Sequence, residues 1–196
     1  MRNNLLDDDW KAAWDPVVEA IGTDIGLDEV QEPADAIETG TLRRYLEPLE
    51  FDCPLHHDKV MAREHGYRDV IAPYTAAISF TMPSMWQPGD PPLFDSSDRD
   101  AQPERSAVKP RYPDFFPEFA GYFATDMDVD YLRPLHLGER VRRRGAKLVA
   151  CDPRETRVGR GAFLKTEAEI VTDEGEIVAL LRTGLFLYNP HREAVE

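Results

Sequence analysis

The chain has 196 residues, of which 42% are hydrophobic and 31% charged, a balance that suits one globular domain large enough to bury a core. Its net charge of −14 repels phosphate backbones and anionic headgroups, so neither nucleic acid nor a membrane surface is an expected partner. Cys53 and Cys151 fit neither a metal motif nor a disulfide framework. The first residues lack the apolar stretch of a signal peptide, and no apolar run is long enough to span a bilayer, so the expected location is the cytoplasm.

Residues 8–21 predict an amphipathic helix, with Asp8 or Asp9 as cap and Trp10, Trp14, Val17, Val18 and Ile21 at helical spacing. Gly22 would end it. Residues 23–39 are acidic and mixed, a strand or loop leading in. A turn at Glu38 and Gly40 precedes a short helix over residues 42–49. The stretch from Glu50 to Asp58 holds Pro54 and the paired His56 and His57, and reads as an ordered loop. Residues 58–65 predict a short helix ending at Gly66. Residues 70–82 are almost all apolar or small, and with Pro73 at a first-turn position they predict a buried helix.

Half of the sixteen prolines fall in residues 83–117, where no periodicity survives. A loop of that length is usually functional, as a lid or a mobile segment. Strand patterns follow over residues 122–131, 140–151, 161–172 and 177–188. A turn at 134–139 contains Gly138, and Asp173-Glu174-Gly175-Glu176 is a hairpin turn. Helices first and an antiparallel sheet afterwards make an α+β layout, in one domain over 1–196 with a helical lead-in over 1–40. Against the overall acidity, Arg140, Arg142, Arg143, Arg144 and Lys147 form a basic run. It reads either as a patch for a small anion or as a solvated strand edge.

Two places could carry chemistry. Asp52 with His56 and His57 puts a carboxylate and imidazoles in one ordered loop, which can share acid–base work on a water molecule. The bland alternative is a pair of structural or exposed histidines. A metal site is not expected, because adjacent histidines share no helical face and no third ligand has a recognisable spacing. The second place is Ala72-Pro73-Tyr74-Thr75. Amides at a helix start lack internal partners, and those of Tyr74 and Thr75 could stabilise an enolate oxygen. The alternative there is an ordinary helix start in a core.

Three pieces occur here in the order found in MaoC-like hydratases. They are Glu38-x-Gly40-x-Leu42-Arg43-Arg44-Tyr45, Pro54-Leu55-His56-His57-Asp58, and Gly66-Tyr67-x-x-Val70-Ile71-Ala72-Pro73-x-Thr75. Asp130-Tyr131-x-Arg133-Pro134-Leu135-x-x-Gly138-Glu139, Gly161-x-Phe163 and Asp173-x-Gly175-Glu176-x-Val178-Ala179 continue the likeness. Over residues 15–188 the chain resembles the branch of that group related to the dehydratase domain of fungal fatty acid synthase. The resemblance implies a hotdog fold, an antiparallel sheet wrapped around a central helix that begins within residues 72–82. It implies reversible addition of water to a trans-2-enoyl-CoA to give a 3-hydroxyacyl-CoA, with no cofactor or metal. It also implies acyl-CoA sites near a subunit interface, and pairing as a homodimer or as a heteromer with another hotdog subunit. Residues 83–117 would then be a cover for the acyl pocket.

One departure matters. Active members of the group carry Asp-x-Asn-Pro-Leu-His or a form with one extra residue before the His. Aligned on Pro54-Leu55, the Asp position here is Phe51 and the Asn position is Cys53. The Asp–His separation survives only as Asp52 with His57. Two functions follow. In one the chain is an enzyme with Asp52 activating water, His57 or else His56 passing the proton, and Ala72, Pro73, Tyr74 and Thr75 holding the thioester. In the other it is a non-catalytic hotdog subunit that pairs with a catalytic MaoC-like chain. Thioesterase activity is disfavoured, because residues 72–82 contain no Asp or Glu.

Overall fold

The computed structural model describes residues 10–25, 32–103 and 112–191. Among them, β1 (Gly121–Tyr131), β2 (Val141–Thr156), β3 (Gly159–Thr172) and β4 (Ile177–Pro190) form one antiparallel sheet in the order β1-β4-β3-β2. Strand alternation decides its two faces. Ala162, Leu164, Thr166, Ala168 and Ile170 of β3 are all buried. They pair in register with Leu187, Leu185, Thr183, Leu181 and Ala179 of β4, so these ten side chains make the inner face.

The opposite face carries charge. Arg182 bridges Asp130 at 2.8 Å and Glu167 at 2.9 Å, and Arg144 meets Glu169 at 2.7 Å. Lys165 and Asp126 lie on strands to either side of β4, yet approach to 3.1 Å. They meet over Gly184, which is in register with both. A Cβ there would lie 2.1 Å from Asp126 Oδ1.

The basic run proves to be part of a strand and not one anion patch. Its cations alternate between faces and most have acidic neighbours. Arg140 Nη2 donates to Pro33 O at 2.8 Å, Arg142 stands 3.7 Å from Asp173 and 3.8 Å from Glu32, and Lys147 sits in an antiparallel bridge with Asp24. Arg143 shares the inner face with Ile170, where burial pulls its guanidinium below the usual range.

Two sets of helical pieces cover the inner face. The helix expected over residues 8–21 is shorter, a 3-10 turn at Ala12–Trp14 followed by α1 (Asp15–Glu19). The proposed caps Asp8 and Asp9 lie outside the described residues. Trp14 and Val17 are buried while Val18 and Ile21 are exposed. The helix stops because Gly22, at φ 94°, turns the chain onto the edge of β2, where its N–H donates to Leu148 O at 2.8 Å. α2 (Thr39–Leu46) begins earlier than expected, includes Gly40, and continues into a 3-10 turn at Glu47–Leu49. α3 (Lys59–Glu64) lies where the sequence places it, since Asp58 Oδ1 accepts from Val60 N at 2.7 Å and Met61 N at 3.2 Å.

Residues 70–82 differ most from expectation. Ile71 forms an antiparallel bridge with His136, and Ala72 N donates to Leu135 O at 2.7 Å, so the first residues are extended. Helical geometry starts only after Pro73 and ends before Pro83, as 3-10 turns at Tyr74–Ala76 and Ser79–Thr81. The residue before a proline is steered away from helix, so two prolines bound the segment on both sides. Ala72, Ala76, Ala77 and Phe80, with Leu42 of α2, pack on Val141, Ile170, Val178 and Ala179.

The other half of the inner face takes Trp14, Val17 and Ile25 against Leu148, Ala162, Leu164 and Leu187. Tyr112, Phe116 and Phe119 pack there too, with the Tyr112 ring 5.1 Å from Phe116 and 5.2 Å from Phe119. The end of the proline-rich stretch is therefore core packing and not a lid. Residues 104–111 lie outside the described residues. No described helix is long and apolar enough to cross a membrane.

Tyr112 offers a test of this packing. Its hydroxyl is buried with no hydrogen-bond partner among the described residues, and burial pushes its pKa from 10.0 up to about 12. A raised tyrosine pKa contributes stability that is whole below pH 10 and lost as pH rises toward 12, by roughly 2 kcal/mol. Tyr112→Phe is expected to match or exceed wild-type stability at pH 7, because it removes an unsatisfied hydroxyl. It should also abolish that alkaline step in a pH series of urea melts. A step of unchanged size in the variant would remove Tyr112 as its source.

Candidate active site

The loop between α2 and α3 holds the residues singled out for acid–base work. Asp52 and His57 are exposed and share a depression of about 330 Å³, lined also by Arg43, Leu46, Glu47, Glu50 and Phe51. No hydrogen bond joins Asp52 to either histidine among the described residues. His57 Nε2 lies 3.0 Å from Phe51 O, and a carbonyl can only accept, so that nitrogen carries the proton. Main chain, not a carboxylate, orients the ring.

His56 turns inward. Its Nδ1 donates to Ile71 O at 2.8 Å, which leaves Nε2 as the unprotonated nitrogen of the neutral ring. The Phe51 ring stands over it, with centroids 5.5 Å apart. Phe51, at the Asp position of the resembled motif, thus packs beside the inward histidine.

Ile71 is held in turn by the turn at 134–139. Glu139, with a side chain only 11% exposed, accepts from Arg133 Nη1 at 3.0 Å and from the N–H of His136 at 3.1 Å, and pairs with Arg68. The Glu176 carboxylate beside Arg133 raises that guanidinium's pKa, and the same contact holds Glu176 below the usual carboxylate range. His136 is buried, and loss of water pulls its imidazole below the usual value, the Glu139 carboxylate opposing.

The second predicted segment is divided between core and surface. Ala72 and Pro73 are buried, and Tyr74 and Thr75 are exposed. The Tyr74 and Thr75 amides have no main-chain acceptor among the described residues. Tyr45 Oη donates to Thr75 Oγ1 at 2.9 Å, and the Tyr74 ring lies 5.1 Å from that of Tyr131. Sequence reasoning missed Tyr45, which ties α2 to this segment. It also missed Ile71 O, whose role no side-chain pattern could reveal. A larger cavity of about 460 Å³, between Thr23, Asp24 and Phe115, involves none of these residues. No group of three or more His, Cys, Asp or Glu among the described residues could hold a metal ion.

The family described as "FAS1-like, dehydratase domain region" matches residues 21–181. The chain belongs to this family. A UPF0336 protein of Saccharopolyspora erythraea is 30% identical over 161 residues, 82% of this chain and 86% of its own length. Among solved structures, the ChsH1–ChsH2 complex of Mycobacterium tuberculosis matches with a TM-score of 0.64 at 19% identity, over 94% of this chain and 99% of that one. The HadBC (3R-hydroxyacyl-ACP dehydratase) complex of the same organism matches at 0.51 and 16%, over 85% and 99%. The MaoC-like dehydratase of Rhodospirillum rubrum matches at 0.52 and 14%, over 82% and 90%. The α+β arrangement is therefore the hotdog fold of the MaoC-like dehydratases, and residues 74–81, where the sequence predicts the start of the central helix, form only 3-10 turns.

Proposed function

We propose that this FAS1-like dehydratase family member is a hotdog subunit that shapes an acyl-thioester site, while a MaoC-like partner supplies the carboxylate–imidazole pair. The reaction served is reversible hydration of a trans-2-enoyl-CoA to a 3-hydroxyacyl-CoA. The observation that carries this reading is the Phe51 ring against His56. Hydration needs a base for the water and an acid for the α-carbon. A phenyl ring supplies neither. His56 alone, fixed by Ile71 O, lacks the second group. The 2 solved relatives named as complexes are consistent with a chain that works beside another hotdog. A net charge of −14 favours CoA over an acidic carrier protein as the thiol. The thioester needs no cofactor.

A second reading keeps the chain as an autonomous hydratase using Asp52 and His57, favoured by their shared depression. The assay that separates the two uses short, long and ring-bearing enoyl-CoA thioesters with the purified chain, beside Asp52→Asn and His57→Ala. No turnover from folded wild type is expected. Turnover that either substitution abolishes would establish the autonomous enzyme instead. Phe51→Asp, which restores a carboxylate beside His56, is expected to raise turnover above the wild-type background.

A further inference from the structure

One cation of the basic run differs from its neighbours. Arg140 Nη2 donates to Pro33 O, Arg142 stands 3.7 Å from Asp173, and Arg144 meets Glu169 at 2.7 Å. Arg143 has no hydrogen bond and no ion pair among the described residues.

Strand register explains the difference. Arg143 lies opposite Ile170 and points to the inner face, away from the acids that Arg142 and Arg144 reach. Before it on that face, Val141 is buried in one half of the core. After it, Ala146 and Leu148 are buried in the other half. Arg143 therefore stands, half-buried, at the seam between the two. Loss of water lowers its pKa, and no carboxylate opposes that shift. A β-bulge follows directly, where register shifts between Arg144 and Lys147 and Gly145 takes φ 73°. Bulges bend a strand, re-aim the side chains beside them, and recur next to active sites.

An unpaired guanidinium taken out of water is unfavourable unless an anion meets it. Its fork matches the two oxygens of a carboxylate, one charge against one. The inner-face neighbours Val141, Ala146, Ala168 and Ile170 are all buried and apolar. A phosphate dianion would therefore keep excess charge in a site poor in water.

We propose that Arg143 anchors a binding site for a small organic carboxylate, a monoanion held through both oxygens. The proposal goes beyond the reading of the α2–α3 loop and does not depend on it.

The test is an NMR titration of the Arg143 Nε–Hε resonance, assigned by its loss in Arg143→Met. Butyrate and benzoate are added at constant ionic strength, with butyramide as the uncharged control and inorganic phosphate as the other oxyanion. At least one carboxylate is expected to shift the resonance saturably, and butyramide to leave it in place. That carboxylate should raise the melting temperature of wild type and not that of Arg143→Met. Without ligand, Arg143→Met should melt at or above wild type, because it removes an unpaired cation. Arg143→Lys, which keeps the charge and loses the fork, should bind at least about tenfold more weakly. It replaces Arg143→Met should that variant not fold by circular dichroism. No saturable response to either carboxylate would overturn the proposal, as would an equal response in Arg143→Met. Tighter binding of phosphate than of both carboxylates would overturn the ligand class. Asp28 and Glu29 lie outside the described residues. A resonance that moves in Asp28→Asn/Glu29→Gln without ligand would assign the carboxylate to the chain itself and overturn the site.

Discussion

Gly161→Ala is expected to destabilise the protein by at least about 3 kcal/mol, the high end for overpacking a closed site. Gly161 pairs with Tyr188 of β4. A Cβ there would lie 1.9 Å from Leu187 O and 2.7 Å from Tyr188 Cα. Those are backbone atoms, so no rotamer change can relieve the clash and the strands must part. Parting them opens the end of the core where Ala162, Leu164 and Leu187 meet Trp14 and Val17. Gly40→Ala is the control. Gly40 lies in α2 with open space around its Cβ position, so alanine should be neutral or stabilising by up to about 1 kcal/mol. Urea midpoints at constant slope read both changes. Equal midpoints for the two variants would mean that the close approach of β3 and β4 does not limit stability.

Arg133→Met is expected to cost about 3 kcal/mol, because it strips a cation from a shielded carboxylate. Arg133 binds Glu176 through Nε at 2.9 Å and Nη2 at 2.7 Å, and reaches Glu139 and the Pro134 carbonyl through Nη1. Without it, Glu139 keeps Arg68, whose side chain is 64% exposed and so screened by water. The turn at 134–139 then loosens, and with it the Ile71–His136 bridge that presents a carbonyl to His56. Arg133→Met/Glu139→Gln should recover part of the loss, since it removes the uncompensated charge. Strictly additive losses in the double variant would show that the two side chains act independently. Any function that depends on His56 should decline with the stability of this turn.

Local chemistry made much of the fold legible. Asp58 before an apolar spacing announces α3, because its carboxylate can satisfy amides that the helix cannot. The alternation in β3 separates Leu164 and Ile170 from Lys165 and Glu169 without reference to any other strand. Asp173 to Glu176 turns the chain, with Gly175 at φ 86°. The long helix over 70–82 was misread because composition and period do not report long-range pairing. Ala72 N donates to Leu135 O and Val70 O accepts from Leu137 N, more than sixty positions away.

The candidate site divides in the same way. The sequence by itself determined that Phe51 and Cys53 stand where the resembled motif has Asp and Asn, and that Asp52, His56 and His57 share one loop. Only the tertiary structure decided that His56 turns inward to Ile71 O while His57 turns out to Phe51 O, because a carbonyl brought from another segment chooses which ring it holds. It also decided that residues 112–119 fill core and that β1 is left at an open edge. A strand's alternation shows which face it buries. Which neighbour it pairs with, and whether its edge is covered, depends on chain that arrives from elsewhere in the fold.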